Sequence, residues 1–176
     1  MIYNVAALLS GEVGAKRVYS IDDEIIASPD GEFHGIYGVV KLIRTDRGIF
    51  LDAEVTAGAV SECSRCLEPV GLVLQTELEE EFFPVNGDLG SGSSLLRQKV
   101  VEEEEIPEFW IEESNNLDAS EAVRQALVSV MPLAPLCRDD CAGICPECGN
   151  NRNTNPCDCV IGFTDPRFAA LLDLKI

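Results

Sequence analysis

The sequence predicts an α+β fold: an antiparallel β-sheet or meander, one or two packed helices, and a C-terminal cysteine-rich segment resembling a zinc ribbon. Three observations predict it. Residues 36–83 alternate apolar and polar side chains in three runs, the period of half-buried strands. Residues 118–131 carry an apolar stripe at helical spacing. Six of the eight cysteines fall between Cys137 and Cys159.

Residues 1–35 are loosely patterned. Asn4 can cap a short apolar turn, Val5 to Leu9, that Gly11 ends, and Val18 to Ile21 reads as a short strand. His34 reads as a surface or hydrogen-bond-satisfied histidine with no site attached. Ile36, Gly38, Val40 and Leu42 share one face of a first strand. A turn at Thr45-Asp46-Arg47-Gly48 leads into a second strand that buries Ile49, Leu51, Ala53 and Val55. A third run turns Val70, Leu72, Leu74 and Leu78 inward, and Val73, Gln75, Glu77, Glu79 and Glu81 outward. Asp118 starts a helix with Glu121 in the capping-box position, and Pro132 stops it. Asp165-Pro166 opens a short closing helix whose buried face is Phe168, Leu171 and Leu172. The expected organisation is a β-rich part over 1–83, an acidic linker over 84–116 and a helix plus cysteine-rich part over 117–176, co-folded as one domain.

Composition narrows the function classes. Thirteen Lys and Arg oppose 31 Asp and Glu, for a net charge of −18. Nucleic-acid affinity comes largely from cations that neutralise phosphates, so a chain this acidic is a poor nucleic-acid sheath; the charge favours basic partners. With one histidine, a Ser-His-Asp triad, a Cys-His pair or a multi-histidine metal site is excluded as a working hypothesis, and no phosphate-binding loop is present. We therefore expect a protein that is not an enzyme and takes no small-molecule substrate. No stretch reaches the roughly 18 apolar residues of a membrane span, and Val5 to Leu9 is too short for a signal core. The expected setting is the reducing cytoplasm, where clustered cysteines mean metal or redox chemistry more often than disulfides.

The cysteines are the sharpest signal. A Cys-x2-Cys-Gly turn lets two thiolates converge on one ion, and four such sulfurs make a closed, tetrahedral structural zinc site. Cys145 and Cys148 are expected to join Cys157 and Cys159 on one zinc. Cys63 and Cys66 are expected to join Cys137 and Cys141 on a second, with sulfurs roughly 4 Å apart. Iron in place of zinc and a redox dithiol remain open alternatives. Loading both sites with all thiols ionised would take the charge to roughly −22.

Residues 77–113 hold 12 acidic and 2 basic side chains, so −10 of the −18 lies in one stretch. Glu102, Glu103, Glu104 and Glu105 form an unbroken acidic run, and Phe109, Trp110 and Ile111 follow as a hydrophobic trio. A docking segment for a basic partner would combine these two features, charge for steering and an aromatic anchor for desolvation; the alternative is a solvated linker that Trp110 tethers to the core.

Taken together, Cys63-Ser-Arg-Cys66-Leu67, Met131-Pro-Leu-Ala-Pro-Leu-Cys137, Cys141-Ala-Gly-Ile-Cys145-Pro-Glu-Cys148-Gly-Asn-Asn, Cys157-Asp-Cys159 and Asp165-Pro-Arg167 resemble the YceD family, the large ribosomal RNA subunit accumulation proteins of bacteria and plastids. The resemblance runs from about Asn4 to Leu174. The family often carries a leucine where Arg152 stands, a departure that leaves the cysteine spacing intact. The resemblance implies a ribosome-biogenesis factor that supports accumulation of large-subunit (23S) ribosomal RNA. It also implies a basic ribosomal protein or a pre-ribosomal particle as partner, since the gene often neighbours that of a small basic large-subunit protein. An RNA-binding zinc ribbon, or a thiol protein using a Cys-x2-Cys pair, is the alternative.

Overall fold

Seven strands and two helices form among the described residues of the computed structural model, which are 1–28, 31–85, 109–159 and 167. In chain order they are β1 (Ile2–Asn4), α1 (Ala6–Leu9), β2 (Lys16–Ser28), β3 (Gly31–Arg44), β4 (Ile49–Glu62), β5 (Pro69–Pro84), β6 (Trp110–Ile111), β7 (Asn116–Asp118) and α2 (Ser120–Ser129). The strands make one sheet in the order β1-β7-β6-β5-β4-β3-β2.

The period-2 pattern decides which face is buried. Ile36, Val40 and Leu42 of β3 and Ile49, Leu51, Ala53 and Val55 of β4 are almost fully buried, because each successive strand residue points to the opposite face. Antiparallel pairing sets these residues side by side, with Leu42 opposite Leu51 and Val40 opposite Ala53. Leu74, Leu78 and Phe82 of β5 complete the face, while Val70 and Leu72 are only half-buried. One mainly antiparallel sheet with few helices is therefore the observed architecture.

Three local expectations are corrected. The first 35 residues are not loosely patterned: β2 extends to Ser28 and pairs with β3 along its length. The acidic Asp22-Asp23-Glu24 hides the alternation, and the register shifts there while Asp23 takes a φ of 53°. The sheet is not wholly antiparallel: β6 runs parallel to the end of β5, Trp110 opposite Phe83. The helix starts at Ser120 rather than Asp118, and the capping box does not close. Asp118 Oδ1 accepts from the Ser120 amide at 2.9 Å, and Glu121 pairs with Arg124 at 2.7 Å. Ala122, Val123 and Leu127 of α2 are buried as the stripe requires. α1 forms where Asn4 precedes the apolar turn, and Asn4 Oδ1 accepts from the Ala6 amide at 3.3 Å. The closing helix expected at Asp165 lies outside the described residues.

The chain divides into two compact units. The first, Met1–Ser61 with Gly71–Leu133, holds the hydrophobic core of β1–β7, α1 and α2. Arg44 is buried in it and donates to the Leu9 and Gly48 carbonyls, which fixes the end of α1 against the β3–β4 turn. Tyr3 of β1 and Tyr19 of β2 meet with ring centroids 4.9 Å apart, so the two outer strands approach each other. The second unit, Glu62–Val70 with Ala134–Ile176, holds all eight cysteines. No described helix is long and apolar enough to cross a membrane.

Candidate metal centres

The second unit is built from two turns of the same backbone form. In residues 63–68 the Leu67 amide donates to the Cys63 carbonyl at 2.9 Å, and the Cys63 amide donates to the Glu68 carbonyl at 2.8 Å. In residues 145–150 the Gly149 amide donates to the Cys145 carbonyl at 2.9 Å, and the Cys145 amide to the Asn150 carbonyl at 2.8 Å. The residue after the second cysteine is left-handed in both, with φ 62° at Leu67 and 73° at Gly149. Each turn curls its amides around the first sulfur and sends both sulfurs to one side.

Each turn meets a second cysteine pair. Cys63, Cys66, Cys137 and Cys141 form one group and Cys145, Cys148, Cys157 and Cys159 the other; within each, the four sulfurs lie within 4.8 Å of one another. Across the first group, Cys63 Sγ is 3.8 Å from Cys141 Sγ, and Cys66 Sγ is 3.7 Å from Cys137 Sγ. A tetrahedral ion with bonds of about 2.3 Å sets its sulfurs about 3.8 Å apart, whereas a disulfide needs about 2.05 Å. All eight cysteines are free thiols. The geometry fits a four-sulfur metal site in both groups. Spacing alone left this division of the cysteines unproven, because Cys157-x-Cys159 is tighter and Cys137-x3-Cys141 looser than a two-residue gap.

The electrostatics within each group favour a cation. Amides of Cys137, Arg65 and Cys66 lower the Cys63 thiol to about 6, and amides of Cys148 and Glu147 do the same for Cys145. The Asn153 side chain lowers Cys141. Desolvation and the sulfurs of Cys141, Cys66 and Cys63 push Cys137 up to about 12; the sulfurs of Cys148 and Cys157 push Cys159 up to about 12. Some thiolates are thus stabilised while their neighbours are held protonated by the negative charge beside them. A divalent ion at the centre removes that conflict and lets all four ionise.

The surroundings of the two groups differ. Cys63, Cys66 and Cys141 are buried, with Val70 and Leu136 packed on them, whereas only Cys145 is buried in the second group. Arg65 Nη1 donates to the Cys141 carbonyl at 3.0 Å, and the Ser64 amide to the Pro135 carbonyl at 2.8 Å. Sequence reasoning missed Asn153, whose Nδ2 donates to Cys141 Sγ at 3.2 Å and whose Oδ1 accepts from the Ala142 amide at 2.8 Å. It sits in a polar run, residues 150–155, where asparagines more often serve turns, so no sequence signal separates it from its neighbours.

Of the residues expected to dock a partner, the hydrophobic trio is described. Phe109 is buried against Phe82, ring centroids 5.1 Å apart, and Ile111 is fully buried. Trp110, between them on β6, is 42% exposed. Strand alternation splits the trio, so it offers one exposed aromatic ring and two core anchors rather than one apolar patch. Glu102 to Glu105 lie outside the described residues. A described acidic cleft of about 430 Å³ lies instead on the open sheet face, lined by Asp52, Glu54, Glu77 and Glu79. Lys41 Nζ reaches Asp52 there at 2.7 Å.

Comparison with known proteins shows the family of the chain. Uncharacterized protein Rv2926c of Mycobacterium tuberculosis and uncharacterized protein Mb2951c of Mycobacterium bovis are each 30% identical over 140 residues, covering 77% of this chain and 59% of the relative. Uncharacterized protein ML1660 of Mycobacterium leprae is 31% identical over 109 residues, 61% of this chain and 45% of the relative. The chain thus spans about three fifths of the length of the first two. No solved structure matches. The family model described as large ribosomal RNA subunit accumulation protein YceD matches residues 51–175, a span that contains every cysteine, most of β4 and the whole of β5, β6, β7 and α2. The chain belongs to the YceD family.

Proposed function

We propose that this chain is a non-enzymatic ribosome-assembly factor of the cytoplasm. In this reading it supports accumulation of large-subunit ribosomal RNA by holding a basic ribosomal protein, or a basic protein face of an assembling particle. Zinc in the two four-cysteine groups supplies no reactive position; it crosslinks the second unit, because four thiolates leave no site for water or substrate.

The observation that carries the reading is charge in a family linked to ribosomal RNA. The net charge is −18. Among the residues of the second unit through Cys159, Arg65, Arg138 and Arg152 oppose six carboxylates: Glu62, Glu68, Asp139, Asp140, Glu147 and Asp158. Arg138 is paired with Asp140 at 3.3 Å. Two zinc ions, each with four thiolates, add about −4 more. A ribbon of that sign repels phosphate and attracts lysine and arginine. The acidic cleft on the sheet and exposed Trp110 add charge and an aromatic ring that such a partner can use.

The test is affinity capture from bacterial extract with the full chain as bait, reading ribosomal proteins and ribosomal RNA separately. Recovery of one basic large-subunit protein that survives nuclease treatment supports the proposal. Recovery of RNA alone, lost on nuclease treatment, overturns it in favour of direct RNA binding.

A further inference from the structure

The 149–156 loop belongs by sequence to the second cysteine group, since it links Cys148 to Cys157. Its polar contacts reach into the first. Asn153 Nδ2 donates to Cys141 Sγ at 3.2 Å. Asn153 Oδ1 accepts from the Ala142 amide at 2.8 Å and from Arg138 Nη2 at 2.6 Å. Asn151 Nδ2 donates to Glu68 Oε1 of the first turn at 3.3 Å. The strip between the groups is tied on both sides. The Arg152 amide donates to the Gly143 carbonyl at 2.9 Å, the Ile144 amide to the Arg65 carbonyl at 3.0 Å, and Ile144 bridges to Asn151. Gly143 takes a φ of 71°, which strains any side chain, and a Cβ there would sit tightly, 3.0 Å from the Arg65 carbonyl oxygen.

From this we propose that the two four-sulfur centres bind metal cooperatively. An ion on Cys145, Cys148, Cys157 and Cys159 pins both ends of the 149–156 loop. The pinned loop presents Asn153 to the sulfur of Cys141 and closes the second half of the first site. Without that ion the loop is an eight-residue tether whose ordering must be provided by the first site alone, an entropic cost that lowers its affinity. Linkage is reciprocal, so an ion in the first site equally favours the second. Asn153 is the positioning residue: it touches no metal and acts through Cys141. Loss of such an outer hydrogen bond costs about 10- to 100-fold in metal affinity. The inference rests on the two-metal reading above.

The experiment is a cobalt(II) titration of the metal-free full chain, followed by stepwise removal with a competing chelator. Tetrahedral thiolate cobalt is read by its visible bands and its sulfur-to-cobalt charge-transfer band. In the unmodified chain two cobalt ions per chain should leave in a single step. In Asn153→Ala the release should split into two steps, with one site weakened about 10- to 100-fold and the other little changed. The Cys157→Ser/Cys159→Ser double variant should retain one cobalt, bound more weakly than either ion of the unmodified chain. Adding Asn153→Ala to it should cost little further, since the loop is already free. Loss of a hydrogen bond to sulfur should also move the charge-transfer band of the Asn153→Ala chain to longer wavelength, a change that simple loosening of the fold does not produce. Two independent release steps in the unmodified chain, or a first site of unchanged affinity in the double variant, would overturn the coupling while leaving the metal reading intact. No cobalt bands in any chain would overturn the metal reading itself.

Discussion

Leu67 and Gly149 occupy the same place in two copies of one turn, and only one of them suits it. A non-glycine residue in the left-handed region carries roughly 1–2 kcal/mol of steric strain, and Leu67 stands there with φ 62° while 58% exposed. Leu67→Gly removes that strain, loses little burial and gives back part of the gain as chain entropy. We expect it to stabilise the second unit by about 0.5–1 kcal/mol, seen as slower limited proteolysis near Cys66 and no loss of bound metal. Cys63 is the opposite case. It is fully buried, faces Cys141 at 3.8 Å, and its amide and carbonyl both close the first turn. Cys63→Ser removes a ligand and leaves a hydroxyl among buried sulfurs. The expected loss is several kcal/mol in the second unit, well beyond the roughly 0.5 kcal/mol of an ordinary surface change. Thermal melts in the presence of zinc check it, and bound zinc should fall from two per chain.

At the scale of the element, the strands are held by how closely their backbones approach. A Cβ on Gly48, where β3 turns into β4, would run into the Phe82 carbonyl oxygen of β5. Backbone cannot yield as a flexible side chain does, so Gly48→Ala should cost about 1–3 kcal/mol. Gly71, also in β5, has nothing within 4 Å of where its Cβ would lie, and Gly71→Ala should be neutral within about 0.5 kcal/mol. Urea unfolding of the pair separates the two: a lower midpoint at unchanged slope for Gly48→Ala alone. β6 illustrates a different control. Two residues suffice for it because Phe109 and Ile111 are buried on either side of exposed Trp110, and the Phe83 amide donates to the Phe109 carbonyl at 3.2 Å. The segment is held by core burial, which leaves one exposed ring, that of Trp110.

For the whole molecule the dominant quantity is charge. Reversing Glu102, Glu103, Glu104 and Glu105 to lysine changes the net charge from −18 to about −10. If the 77–113 segment steers a basic partner, association should slow and its salt dependence flatten, with dissociation changed less. Surface plasmon resonance against the captured ribosomal protein, at two ionic strengths, reads both quantities; an unchanged rate and salt slope would assign the acids to solubility alone. Trp110→Ala should instead speed dissociation, since an exposed aromatic anchor acts after encounter.

By itself the sequence determined the three central strands and the position of α2, and it suggested a division of the cysteines that the converging sulfurs of the folded chain then settled. In each, one strong local rule holds: side chains repeat every two or every 3.6 residues, and thiolates must be four to a closed tetrahedron. Ile36 to Leu42 and Ile49 to Val55 could be assigned to the core because nothing interrupts their alternation. Tertiary structure alone decided the rest. β2 forms through Asp22 to Ser28 because β3 offers backbone partners, despite an acidic run that hides its period. The 109–118 segment joins the sheet because Phe109, Ile111 and Leu117 find the core, although its acidic neighbourhood reads as a linker. Asn153 becomes part of a cysteine site ten and more residues away in sequence because a folded loop carries it there. Burial and hydrogen bonding between distant segments depend on what the rest of the chain brings alongside, and no local pattern encodes that.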